Sequence, residues 1–140
     1  MADASSITQE FLDAWNRRDW TRYRDMLDPQ YSYTGGDGRR QDGPEAGLAA
    51  GQMFATAFPD GVAEIRQIHR AGENLAVAEF TGRGTHSGDF MGIAPTGREV
   101  TIPVCDVVEV RNGKIIAERE YIDLLHLLQQ IGAAPVPAMA

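Results

Sequence analysis

The chain has 140 residues, 43% of them hydrophobic, and a formal charge of −7. That length suits one domain with a real core, and the acidic balance argues against a nucleic-acid backbone or an anionic membrane as partner. A single cysteine, Cys105, rules out an internal disulfide framework and fits a reducing compartment. No apolar run approaches the ~20 residues of a membrane span. The start, "MADASSITQEF", lacks the basic and apolar regions of a secretory signal. A cytoplasmic, single-domain protein over residues 1–140 is expected, with a core over about 6–132 and a loose tail over 133–140.

Ile7, Phe11, Leu12 and Trp15 recur at helical spacing and predict a first helix. "RRDW" ends it, and Asp19 can cap a second. Trp20, Tyr23, Met26 and Leu27 continue that second helix until Pro29. "YSYTGGDGRRQDG" reads as a loop with at most a short strand at Tyr31–Tyr33. Pro44 suits the first turn of a third helix, with Leu48, Met53, Phe54 and Phe58 on its buried side. From here the pattern turns to strands. "VAEIRQIHR" and "LAVAEFTGRGT" flank the turn "AGEN". "HSGDFMGIAPTGRE" is too rich in Gly and Pro for regular structure. "VTIPVCDVVEV" and "IIAEREYID" flank Asn112-Gly113, a strong hairpin signal. A short helix from Leu124 closes the chain. The fold class is α+β: a strongly curved, mostly antiparallel sheet packed on three N-terminal helices.

A two-residue turn at Asn112-Gly113 would set Asp106 opposite Arg119, Val104 opposite Tyr121 and Ile102 opposite Asp123. On that register Asp106, Arg119, Tyr121 and Asp123 share the core face, and Cys105, Glu118, Glu120 and Ile122 point outward. A one-residue bulge would flip one strand and undo the assignment. Asp106 with Arg119 reads as a structural ion pair or as part of a site. Asp123 reads as a cap for the last helix or as a functional acid; the two roles can coexist.

The segments "FLDAWNRRDW", "GTHSGDFMGIAPTGR", "NGKI" and "IDLLHLLQQIG" occur in an order that resembles the SnoaL-like polyketide cyclase family of the nuclear transport factor two-like superfamily. The resemblance implies a cone-shaped sheet closed on one side by helices, with a deep apolar pocket. It implies that Asp123 matches the cyclase acid/base and that His86 lies in the same pocket. It also supports a homodimer, formed partly through Pro103, Cys105, Val107 and Ile122 on the outward sheet face.

Intramolecular aldol cyclisation needs a base to take a proton next to a carbonyl and donors for the enolate oxygen. A carboxylate in an apolar pocket suits the first task, and His86 or Tyr121 the second. Asp106, Arg119, Tyr121, Trp15, Tyr33, Phe54, Phe58, Phe90 and Met91 are the expected substrate-binding residues. No metal and no cofactor are expected: three scattered histidines make a poor ligand set, and no nucleotide fingerprint is present. The expected ligand is a small hydrophobic carbonyl compound. An epoxide hydrolase-like site built from Asp106, Arg119 and Asp123, a cofactor-free hydroxylase, and a non-catalytic binding or dimerisation module remain alternatives.

Overall fold

The computed structural model describes residues 2–136; residues 137–140 of the expected tail lie outside them. Helix α1 (Ala4–Arg17) begins at Asp3, whose carboxylate accepts the Ser6 N–H at 3.0 Å, and ends at Arg18 in the left-handed region. It buries Ile7, Phe11 and Leu12, three of the four residues that predicted its stripe. Helix α2 (Trp20–Asp25) is capped by Asp19, which accepts the Arg22 N–H at 3.1 Å.

The chain then departs from expectation. Leu27 does not extend α2; it opens strand β1 (Leu27–Thr34), which contains the short strand expected at Tyr31–Tyr33 but is longer, and β2 (Arg40–Asp42) pairs back on it from the stretch read as a loop. Pro29 does not break this strand, because it falls where the β1 ladder is already interrupted, between Leu27 and Ser32. Helix α3 (Pro44–Ala57) follows with proline in its first turn.

Strands β3 (Val62–Arg70), β4 (Leu75–Thr85), β5 (Glu99–Arg111) and β6 (Lys114–Ile122) form a continuous meander, and α4 (Leu124–Gln130) closes the chain. The curved sheet has the order β2-β1-β6-β5-β4-β3. All neighbours are antiparallel except β1 and β6. The sheet stays open, with β2 and β3 at its edges. One part of the core gathers Phe11, Tyr23, Tyr31 and Ile115. A second gathers Leu12, Phe58, Phe80, Ile102 and Val104.

The β5–β6 register corrects the predicted site. Arg111 pairs with Lys114 and Val110 with Ile115, but Glu109 then pairs with Ala117, so Ile116 is an extra residue. Beyond this bulge every β6 side chain is turned over. Asp106 faces Glu120, not Arg119; Val107 faces Arg119; Cys105 faces Tyr121; Val104 faces Ile122. The β5 face was read correctly, since Ile102, Val104, Asp106, Val108 and Val110 are buried. The β6 face was not: Glu118, Glu120 and Ile122 turn toward the interior, and Arg119 and Tyr121 turn away.

Candidate active site

A pocket opens where the two parts of the core meet. Phe11 and Tyr23 line it from one side; Leu12, Phe58, Ile102 and Val104 line it from the other. Its volume is about 100 Å³, below the ~150 Å³ of a protein cavity that holds benzene. Exposed Val62 and Arg83 stand at its rim. Almost all of its wall is apolar; the exception is its inner end, where Asp106, Glu118 and Glu120 converge. One oxygen from each of these carboxyls lies within 4.8 Å of the others.

Local sequence explains the convergence. Asp106 sits on the inward face of β5 between Val104 and Val108. Glu118 and Glu120 reach the same spot because of the bulge at Ile116. From β1, alternate residues Tyr31 and Tyr33 meet the two glutamates: the Tyr31 hydroxyl donates to Glu118 Oε1 at 2.6 Å, and the Tyr33 hydroxyl to Glu120 Oε1 at 3.0 Å. Helix α3 leaves room for the Tyr31 ring at Gly47, where a Cβ would stand only 2.6 Å from it.

Asp106 is 1% exposed, and no donor in the protein reaches either of its oxygens; only Glu118, another acid, stands close enough to share its proton. Burial pushes its carboxyl well above the usual range, and the charges of Glu118 and Glu120 push the same way. Glu120 is pushed up to about 7, first by burial and then by the charge of Glu118, while the Tyr33 hydroxyl pulls it back. Glu120 keeps some accessible surface, but it is a wall of this narrow pocket, so that surface meets confined rather than bulk solvent. Burial raises Tyr31 and Tyr33 above the ordinary phenol value, so both remain donors. Three acids this close cannot all ionise in an apolar setting. Burial and neighbouring charge thus favour the protonated form of Asp106, and Glu120 is poised between acid and base.

The other expected site residues fall in different places. Trp15, Tyr33, Phe54 and Phe58 line the pocket as expected. Arg119 does not: it forms an ion pair with Glu109 on the outer face. Tyr121 is 61% exposed on that face. Both corrections follow from the bulge. Met91 is exposed in the Gly-rich loop, and Phe90 is buried against Phe54 and Phe58 but is not part of the wall. Asp123 is exposed and caps α4, accepting the His126 N–H at 2.9 Å; it is absent from the pocket lining.

His86 is fully buried, yet it too stands outside the wall, with its ring centroid 5.8 Å from that of Phe58. The Thr96 N–H donates to its Nδ1 at 3.2 Å, and the Arg98 carbonyl accepts its backbone N–H. These bonds tie the ends of the Gly-rich loop together. A backbone donor on Nδ1 puts the proton of the neutral ring on Nε2, which has no partner.

Sequence reasoning missed Glu118, Glu120 and Tyr31. A faint signal was present: adjacent Ile115 and Ile116 in "KIIAERE" break strict alternation, as a bulged strand does. For metals, the fold assembles a donor set that the scattered histidines did not suggest. Asp106, Glu118 and Glu120 are hard oxygen ligands close enough to share a cation.

A family model described as SnoaL-like polyketide cyclase matches residues 5–131. The chain belongs to the SnoaL-like polyketide cyclase family. Its solved relatives share this architecture. AclR of Streptomyces galilaeus, a candidate hydroxylase, superposes with a TM-score of 0.81 at 25% identity, covering 94% of this chain and 85% of that one. IdmH of Streptomyces antibioticus, a candidate polyketide cyclase, gives 0.79 at 28% identity over 91% and 97%. A candidate polyketide cyclase from Xanthomonas campestris pv. campestris gives 0.83 at 21% identity over 91% and 96%, a likeness of fold. Among curated protein sequences none matches significantly. Family membership suggests an enzyme; in this SnoaL-like chain the acids that line the pocket come from β5 and from the inward face of β6.

Proposed function

We propose that this SnoaL-like protein is an acid/base catalyst that removes a proton next to a carbonyl in a small hydrophobic compound, as in an intramolecular aldol cyclisation. Glu120 is the base. Its value of about 7 lets it accept a proton at neutral pH and return it. Asp106 is the partner: a carboxylic acid kept protonated by its surroundings can donate to the enolate oxygen as charge develops there. Tyr33 orients Glu120, and Tyr31 orients Glu118, whose charge keeps the other two acids raised. The observation that carries this reading is the buried, unpartnered Asp106 beside Glu120 at the end of an apolar pocket. Family membership supports it.

The site no longer favours epoxide opening by two acids bridged through arginine, because Arg119 faces the other way. The pocket is too small to enclose even one ring, so a one-ring compound would sit partly outside it and a large polycyclic one mostly so.

Deuterium uptake from heavy water into a panel of small cyclic ketones, followed by NMR, tests the proposal without knowledge of the natural substrate. At least one ketone should exchange faster than in buffer. Glu120→Gln should slow that exchange by ~10²–10⁴-fold, the usual worth of a positioned base. Exchange that is unchanged in Glu120→Gln would exclude Glu120 as the base.

A further inference from the structure

The inner end of the pocket has an unbalanced charge inventory. Three carboxyls meet there, and among the described residues no basic side chain joins them. Arg83 is at the rim with Glu64, and Arg119 is outside with Glu109. Asp106 is buried and aimed into this cluster with no donor on either oxygen. Buried acids in folded proteins are normally paired. Here Tyr31 and Tyr33 donate to the two glutamates, but no cation balances the charge, and Asp106 has only a proton to satisfy it.

The remaining walls indicate what else could satisfy it. Trp15, Tyr33, Phe54 and Phe58 line the approach, and aromatic rings attract organic cations. With the three oxygens no more than 4.8 Å apart, an atom centred among them would lie at most about 2.8 Å from each, within reach of an N–H···O bond. A magnesium ion, which keeps several waters, would leave the apolar and aromatic walls without a role.

We propose that the pocket selects small organic cations, with a primary ammonium group seated among Asp106, Glu118 and Glu120 and an apolar body against the aromatic walls. This rests on the pocket being the substrate site and adds a basic nitrogen to the carbonyl compound described above. The ammonium displaces the proton that Asp106 carries in the free protein, and that proton is released to solvent. Ligands ending in a carboxylate are rejected by the same three acids.

Calorimetric titration with three ligands of matched shape, benzylamine, benzyl alcohol and benzoate, tests this at about pH 8, where Glu120 is mostly ionised. Benzylamine should bind about tenfold or more tighter than benzyl alcohol, as a charge-assisted bond allows, and benzoate should not bind. Asp106→Asn and Glu118→Gln, each checked for folding by its thermal melt, should lose that preference. Amine binding no tighter than alcohol binding, or a preference that survives in a folded variant, overturns the inference. So does displacement of the amine by manganese at concentrations below those of benzylamine itself, which would mark an inorganic cation site. Deuterium exchange into neutral ketones without any amine preference would sink this inference alone. Amine binding without any exchange would leave it standing and sink the acid/base reading.

Discussion

Asp106 and Glu120 make the free protein sensitive to pH in a direction opposite to that of most acids. Both carboxyls are raised by folding, so the folded state favours their neutral forms. Their contribution to stability is therefore full below the unfolded-state values and fades as pH climbs through the folded ones. For Glu120 the window runs from 4.5 to about 7, and the loss across it is on the order of 3 kcal/mol. Thermal melts should fall in temperature as pH rises through that window. Glu120→Gln should flatten the slope, and a slope unchanged in that variant would show that other groups set it. Asp123 belongs to a different category. It caps α4 from the surface, so Asp123→Asn should cost almost nothing, and Asp123→Ala about 1 kcal/mol. Neither should alter ketone exchange. A ~10²-fold or greater loss in a well-folded Asp123→Asn would return the acid/base role to that residue.

At the scale of elements, the decisive feature is the bulge at Ile116. It turns Glu118 and Glu120 into the pocket and expels Arg119. The Arg119–Glu109 pair is half-exposed, so Arg119→Ala should cost no more than ~1 kcal/mol in urea unfolding. A cost of ~3–5 kcal/mol would mean a buried pair, and hence the unbulged register. The legible parts of this chain were those set by local rules. Strands β3 and β4 matched their expected limits because Gly, Asn and Pro clusters punctuate them. The hairpin turn was legible from Asn112-Gly113, and so was the inward face of β5 from its alternation. What failed depended on tertiary pairing. Strand β1 reaches beyond the expected Tyr31–Tyr33, and β2 exists at all, because β6 and β2 bond to β1, although Pro29 and Gly-rich flanks speak for a loop. The bulge adds one residue, and a period of two converts one residue into a reversal of face. Four of the seven aromatic residues of the pocket wall, and Asp106, were thus readable, while Glu118 and Glu120 were not.

At the scale of the molecule, the open sheet leaves its outer face without full cover: Tyr121 and Pro103 are exposed and Cys105 and Val107 half-exposed. Ile122, once assigned to that face, lines the pocket instead. Tyr121 takes its place in the apolar patch, and a homodimer through this face remains the expectation. Light scattering at micromolar concentration should report twice the chain mass, and Tyr121→Glu should shift it toward monomer. A monomer throughout would remove the expectation. No helix of the described residues is long and apolar enough to cross a membrane.

The central claim is that the fold buries a cluster of acids and holds them partly protonated where a substrate can reach them. Carbon-13 NMR titration of the side-chain carboxyls reads this directly, without a substrate. Glu120 should titrate with a midpoint at about 7, and Asp106 should remain protonated at neutral pH. Midpoints for both near the ordinary carboxylate value of ~4 would contradict the account.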